Sequence, residues 1–153
     1  MMSKSESLAS PWVPAYDQRP SVLSVSPTQN DHQELRSILS GMCQVVAART
    51  CQEAAEFLCR ESVPVIFCER DLPDGSWKYL LSYTAELKDP PALIVTSQLA
   101  DEYLWAEVLN IGGYDVLAKP FREPEVRHTL EWALRLKASP APPRVFVAGA
   151  VSY

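Results

Sequence analysis

The residues of this chain that could carry out chemistry are polar side chains placed directly after short apolar runs. Residues 63–75 read Val-Pro-Val-Ile-Phe-Cys-Glu-Arg-Asp-Leu-Pro-Asp-Gly, an apolar run that ends at Glu69 and is followed by a charged, turn-forming segment. The run is rich in β-forming residues and is long enough for one buried strand, but too short for a helix. Because ligands of α/β sheets bind outside the carboxyl ends of the strands, Glu69 is the first candidate site residue.

Two further apolar runs end in polar residues. Residues 92–96 end at Thr96, and residues 114–118 are followed by Lys119 and Pro120. If these runs are parallel strands, the polar residue at each end lies where ligands of α/β sheets bind.

The hydrophobic pattern predicts a regular alternation of strands and helices. Predicted strands cover residues 21–25, 43–48, 63–69, 92–96 and 114–118, and the last three predicted helices cover residues 76–87, 101–111 and 122–136. Ser26 and Pro27 suit the cap and first turn of the first helix, and Thr50 with a Glu three residues on predicts a cap for the second. In helix 76–87 the spacing places Tyr79 towards the sheet. Five repeats of this alternation imply a parallel sheet with right-handed crossovers.

Composition narrows the class of protein. The chain has 153 residues, which is enough for one domain, and its net charge of −5 without a basic run argues against direct binding of nucleic acid. No apolar run approaches the ~20 residues of a membrane span, and no hydrophobic signal core opens the chain, so we expect a cytoplasmic protein. The four cysteines include no CxxC pair, so a zinc site is not expected.

The chain divides into three parts. Residues 1–20 are rich in Ser and Pro and predict a flexible leader, residues 21–137 form the domain, and residues 138–153 combine a Pro-rich linker with an apolar tail. The tail could be an edge strand, a docking peptide or an unstructured end.

The motifs at the strand ends resemble those of bacterial response-regulator receiver domains of two-component signalling. Residues 112–121, Gly-Gly-Tyr-Asp-Val-Leu-Ala-Lys-Pro-Phe, resemble the glycine, fifth strand and Lys-Pro-Phe signature of that family. Thr96 falls where the family has its switch Thr or Ser, and Leu-Pro-Asp-Gly at residues 72–75 matches the loop after its phosphoacceptor. The resemblance implies a three-layer flavodoxin-like (β/α)5 fold, with a five-stranded parallel sheet in the order 2-1-3-4-5. It also implies a cis bond before Pro120.

Several positions depart from the pattern of that family. Glu69 stands where the resemblance places the phosphoacceptor aspartate, Ser26 and Pro27 replace the acidic pair after the first strand, and Val116 replaces the switch aromatic residue. Magnesium prefers carboxylate and carbonyl oxygens, which Ser26 and Pro27 do not supply as side chains. Asp31 lies about a helical turn beyond Pro27, which is too far to replace the pair. We therefore expect a degenerate receiver without a magnesium site, another cofactor or enzymatic activity.

The role of Glu69 has two interpretations. It could be a permanent substitute for a phosphorylated aspartate, paired with Lys119, or a polar residue paired there for structural reasons. Charge-assisted hydrogen bonds contribute ~1.5–3 kcal/mol each, whereas moving a switch from 1:99 to 99:1 requires roughly 5.5 kcal/mol. One carboxylate therefore does not suffice to lock an active state. Thr96 could keep a switch role or be a satisfied hydroxyl, and His32 is expected to be a surface residue.

Three functions follow. The favoured one is a non-enzymatic signalling module that acts by contact with a histidine kinase, an output protein or itself. The resemblance implies a partner face on the fourth helix, fifth strand and fifth helix, with Trp105, Val116 and Trp132, although either ring could be half-buried core. The second is a conventional phosphorelay receiver that accepts phosphoryl from a histidine kinase through Asp71 or a rearranged site. The third is a small-molecule-binding module at the switch-point crevice of the sheet.

Overall fold

The computed structural model describes residues 19–138. The predicted leader and tail lie outside these residues, apart from residues 19, 20 and 138. The strands are β1 Ser21–Val25, β2 Gln44–Ala48, β3 Val65–Glu69, β4 Asp71–Leu72, β5 Gly75–Ser76, β6 Ala92–Ser97 and β7 Asp115–Ala118. The helices are α1 Gln29–Ile38, α2 Cys51–Leu58, α3 Trp77–Ala85, α4 Glu102–Asn110 and α5 Glu123–Ala138.

The main sheet has five parallel strands in the order β2-β1-β3-β6-β7. The α/β architecture predicted from the sequence is therefore confirmed. The predicted order 2-1-3-4-5 counts the strands of the main sheet alone, and the observed order differs from it in detail because the numbering also includes β4 and β5. These two strands form a separate antiparallel pair between β3 and α3. The sequence pattern of this segment predicts a turn.

The sheet is covered by helices on both faces, which gives three layers. One core cluster joins the sheet to α2, α3 and α4, and the other joins it to α1 and α5. The central strand β3 contributes to both, since Ile66 and Cys68 pack on the first side while Val65 and Phe67 pack on the second. Strands buried on both faces read as continuous apolar runs, which explains why the pattern at residues 63–69 is not alternating.

The first helix begins later than predicted. Thr28, rather than Ser26, precedes the first helical residue, Gln29, and the Thr28 side chain makes no capping hydrogen bond. The Ser26 hydroxyl instead accepts a hydrogen bond from the Thr28 backbone N–H at 3.1 Å. This later start shifts the first turn of α1 along the chain, with consequences for the site described below.

The second helix is capped as predicted and is also tied to the β4–β5 hairpin. The Thr50 hydroxyl accepts a hydrogen bond from the Glu53 backbone N–H at 3.0 Å. The Asp74 carboxylate, near the tip of the hairpin, accepts hydrogen bonds from the backbone N–H groups of Cys51 at 2.8 Å and Gln52 at 3.0 Å. A carboxylate at a helix N-terminus satisfies unpaired donors and complements the helix dipole.

Helix α3 turns a different side towards the sheet from the one predicted. Trp77 and Leu80 are buried, whereas Tyr79, which was predicted to face the sheet, is 51% exposed. The prediction was wrong because Trp77 and Tyr79 can each share a helical stripe with Leu80. The hydrophobic spacing alone does not show which of the two side chains faces the sheet. Within residues 19–138, no helix is long and apolar enough to cross a membrane.

Candidate functional site

The polar residues singled out from the sequence meet at one edge of the main sheet. Glu69 at the end of β3 lies opposite Thr96 of β6, and Thr96 in turn lies opposite Leu117 of β7. The Lys119 backbone N–H donates to the Ser97 carbonyl oxygen at 3.0 Å, which continues the pairing one residue past β7. Parallel pairing therefore places Glu69 and Lys119 at the same carboxyl edge, as the sequence predicted.

Lys119 is the centre of this site. Its ammonium group donates hydrogen bonds to Glu69 Oε1 and, at 2.8 Å, to Asp31 Oδ2. The three side chains are only 12%, 16% and 9% exposed respectively, so this is a largely buried cluster of one cation and two carboxylates. The predicted contact of Glu69 with Lys119 is present, and a third charged group joins it.

The sequence placed Asp31 too far beyond Pro27 to replace the acidic pair of the family, yet its carboxylate contacts Lys119 in this cluster. Because α1 begins at Gln29, Asp31 lies in the first turn of the helix, beside the end of β1. There its Oδ2 atom also accepts a hydrogen bond from the Ser26 hydroxyl at 2.6 Å. An acidic residue shortly after the first strand was the available sequence signal, but its use depended on where the helix starts.

His32 is fully buried behind this cluster, so the expectation of a surface residue was wrong. Its Nε2 atom lies 2.9 Å from the Ser26 carbonyl oxygen, and its Nδ1 atom lies 2.8 Å from the Ser24 hydroxyl. Because a carbonyl oxygen only accepts, Nε2 carries the proton and Nδ1 accepts from Ser24. Burial lowers the pKa of His32, which favours this neutral form.

The charge state of Lys119 follows from its two partners. Burial alone would lower its pKa, but hydrogen bonds and attraction from Asp31 and Glu69 outweigh that effect, so the pKa of Lys119 is raised. Lys119 therefore remains an ammonium ion across the physiological pH range. The cluster of one ammonium and two carboxylates then carries one net negative charge when both acids are ionised.

Two further predicted site residues, Pro27 and Asp71, line an open cavity of about 290 Å³ above the cluster. The same cavity is also lined by Glu69 and Lys119. The Asp71 side chain is 71% exposed and forms an ion pair with Arg70 at 2.9 Å. Asp71 therefore lies at the mouth of the cavity and makes no ion pair with Lys119.

Two other predicted site residues, Thr96 and Pro120, lie near the cluster. Thr96 is 3% exposed, so its hydroxyl lies in the interior beside the strand end. The Lys119–Pro120 peptide bond is cis, as the resemblance had implied.

A second cavity, of about 550 Å³, lies between α4, β7 and α5. Trp105, Val116 and Glu125 are among its lining residues, so one face of each of the three elements contributes. We call this surface the α4–β7–α5 face. Trp105 is 52% exposed and Trp132, on α5, is 49% exposed. The Trp132 ring packs edge-on against His128, with ring centroids 6.0 Å apart. Neither tryptophan is fully buried.

Comparison with known proteins identifies the family. The model of the response regulator receiver domain matches residues 25–131 of this chain. The chain belongs to the response regulator receiver family. The matched residues begin at Val25, the last residue of β1, include the other four strands of the main sheet, and end at Glu131 in α5.

The relatives agree with this assignment. The response regulator protein PilR of Pseudomonas aeruginosa is 32% identical over 111 residues, which cover 70% of this chain and 24% of PilR. This chain therefore spans about a quarter of the length of that relative. Among solved structures, the signal receiver domain of an HD domain-containing protein from Pseudomonas fluorescens Pf-5 is 26% identical, with a TM-score of 0.72 over 80% of this chain and 100% of that one. A two-component response regulator from Clostridium difficile is 21% identical, with a TM-score of 0.70 over 79% and 100%.

Membership of the family establishes the general role of the chain as a receiver domain of two-component signalling. Receiver domains are signalling modules rather than enzymes in general, and they interact with kinases and output proteins. The family resemblance also implies magnesium, so the donor set at the sheet edge has to be compared with what that ion requires.

The residues present do not fit a magnesium ion well. Within residues 19–138, no group of three or more His, Cys, Asp or Glu side chains is placed to hold a metal ion. In each of the two carboxylates at the sheet edge, Asp31 and Glu69, one oxygen accepts a hydrogen bond from the Lys119 ammonium. Magnesium demands nearly octahedral oxygen coordination and loses its water reluctantly, so it competes poorly for oxygens that are already paired.

Proposed function

We propose that this chain is a degenerate receiver domain that does not accept phosphoryl groups and acts by contact with a protein partner. The observation that carries the proposal is the pairing of Glu69, which the family resemblance places at the phosphoacceptor position, with the Lys119 ammonium inside a largely buried cluster. Transfer to Glu69 would require a metal that the donor set does not favour, together with release of its carboxylate from Lys119. Both requirements oppose phosphorylation.

Glu69 serves in this proposal as a fixed partner for Lys119 and not as a full equivalent of a phosphorylated aspartate. A carboxylate has one negative charge, whereas a phosphoryl group adds about 1.5–2. The charge of Glu69 is also compensated by an ammonium that Asp31 shares. The pocket therefore has one resting arrangement, and the surface that acts on the partner is present without a chemical switch.

The α4–β7–α5 face is the surface that we propose for this contact. Its cavity is lined both by apolar residues and by acidic ones, which are respectively Trp105, Val116 and Ala118 and Asp101, Glu102 and Glu125. Half-exposed tryptophans next to apolar surface are typical anchors of protein interfaces. The acidic lining residues favour a partner that presents basic side chains together with an apolar one.

The contact can be tested with a matched pair of variants. Trp105→Ala removes an anchor from the proposed face, and Tyr79→Ala removes a similarly exposed aromatic side chain from α3. Capture of partners from native lysate, and self-association by sedimentation, should weaken for Trp105→Ala and stay at the wild-type level for Tyr79→Ala. Equal loss in both variants, or no loss in either, would remove the α4–β7–α5 face from the proposal.

The alternative functions have distinct outcomes. Acid-labile phosphate that depends on Asp71 would support a conventional phosphorelay receiver, for which the exposure of Asp71 at the cavity mouth is the relevant observation. A ligand-dependent rise in melting temperature, lost when the cavity above Lys119 is altered, would support a small-molecule-binding module.

A further inference from the structure

The charge cluster at the sheet edge contains one residue that the functional proposal does not explain. Lys119 would be paired by Glu69 alone, yet it also contacts Asp31, whose side chain is the least exposed of the three at 9%. Burying a second carboxylate at this point costs free energy unless its hydrogen bonds are satisfied. The partners of Asp31 show how this cost is met.

Besides Lys119, Asp31 is held by a chain of hydrogen bonds that begins at Ser26. The Ser26 hydroxyl donates to Asp31 Oδ2 at 2.6 Å, and its own position is fixed by the Thr28 N–H at 3.1 Å. The Ser26 carbonyl accepts from His32 Nε2 at 2.9 Å, and His32 Nδ1 accepts from Ser24 at 2.8 Å. His32 is completely buried, so this chain anchors the junction of β1 and α1 in the interior of the domain.

The same junction is where a receiver that binds a metal would need free acidic side chains. In this chain the first acidic residue after β1 is Asp31, and its Oδ2 atom already accepts from both Ser26 and Lys119. A divalent cation bound to these carboxylates would compete with the ammonium for their oxygens. The displaced Lys119, which is only 12% exposed, would lose its partners in a poorly hydrated place.

We propose that the Lys119 ammonium is the resident cation of this pocket, in place of a metal ion, and that Asp31 is the positioning residue that keeps it there. Ser26 and His32 act through Asp31, because they fix the direction of its carboxylate. This inference deepens the proposed function, since it explains why the pocket has a single resting arrangement without metal. It is nevertheless separable, because phosphorylation tests the proposed function and the following measurements test the position of the cation.

The first measurement follows the Lys119 ammonium directly in the full chain. Nuclear magnetic resonance of ¹⁵N-labelled lysine side chains detects ammonium groups whose hydrogens exchange slowly with water. We expect a protected signal for Lys119 in the wild type, assigned through its loss in Lys119→Met, and exchange faster by about 10-fold or more in Asp31→Asn. The exposed Lys78, which pairs with Glu107 on the surface, should give no protected signal.

The second measurement uses Mn²⁺ as the probe, because it prefers the same carboxylate ligands as magnesium and broadens nearby signals. The wild type should show no stoichiometric binding, whereas Lys119→Met frees both carboxylates and should bind Mn²⁺ about 10-fold more tightly or better. In Lys119→Met, broadening should centre on Asp31 and Glu69. Lys78→Met is the matched control and should bind Mn²⁺ as weakly as the wild type.

Three results would overturn the inference. If the wild type has no protected Lys119 ammonium, or if Asp31→Asn leaves its exchange rate unchanged, Asp31 does not hold the cation. If the wild type binds one Mn²⁺ in the pocket, Lys119 is not the resident cation. Should Lys119→Met fail to fold, the wild-type Mn²⁺ titration and the Asp31→Asn exchange rate still decide between these outcomes.

Discussion

Removing Lys119 should destabilise the domain more than removing either carboxylate, because Lys119 pairs with both. Lys119→Met leaves Asp31 and Glu69 unpaired, with side chains that are only 9% and 16% exposed. Breaking a buried ion pair from one side typically costs ~3–5 kcal/mol. Glu69→Gln leaves Lys119 with Asp31, so its cost is closer to that of one charge-assisted hydrogen bond, ~1.5–3 kcal/mol.

The double variant gives the sharper test. In Glu69→Gln/Lys119→Met, Asp31 is the one member of the three-residue cluster that keeps its charge. The repulsion between the Asp31 and Glu69 carboxylates is therefore gone. We therefore expect the double variant to be more stable than Lys119→Met alone, with a coupling energy of ~1–3 kcal/mol. The measurement is urea unfolding of the four proteins at pH 7 with linear extrapolation. Additive effects would mean that the side chains of Glu69 and Lys119 do not meet, and would refute the reasoning.

Two further predictions concern the tryptophans and the buried histidine. Trp105→Ala should change the free energy of unfolding by less than ~0.5 kcal/mol. In the same urea assay, Trp77→Ala, at a 2% exposed site, should cost ~3–5 kcal/mol. Similar costs for both variants would make Trp105 part of the core. Burial chiefly, and Arg36 and Arg49 in addition, lower the pKa of His32 against the opposing effects of its bond to Ser26 and of Asp31. The unfolded chain thus binds more protons below about pH 6.5, and stability should fall as the pH drops through that value. This dependence should weaken in His32→Asn and persist in His128→Asn, and an identical pH dependence in both variants would contradict the buried, neutral histidine.

The architecture could be predicted from the sequence because it depends on a repeating pattern of apolar strands and amphipathic helices. Five apolar runs separated by helical stripes leave few alternatives to a parallel sheet, and the carboxyl ends of parallel strands share an edge. The pairing of Glu69 with Lys119 was predicted from the family resemblance and from the cost of burying an unpaired lysine. The small β4–β5 pair was missed because two-residue strands have no hydrophobic period that a sequence could show.

The site was less accessible because it depends on where one helix begins. Ser26-Pro27 is a reasonable start for α1, but the helix begins at Gln29, and this shift brings Asp31 beside Lys119. Helix boundaries are the least certain part of any sequence-based interpretation, with errors of two or more residues. Here such an error changed the composition of the pocket. The burial of His32 was missed for a related reason, since its two partners lie at the end of β1 and just beyond it.

The central claim is that this receiver domain does not accept a phosphoryl group, and phosphate incorporation tests it most directly. The full chain is incubated with acetyl phosphate and magnesium, and acid-labile phosphate and intact mass are measured beside a receiver domain that retains its aspartate and acidic pair. The account predicts no incorporation into this chain under conditions that label the control. Stoichiometric acid-labile phosphate in this chain would contradict the account, and its loss in Asp71→Asn or in Glu69→Gln would identify the residue that accepts it.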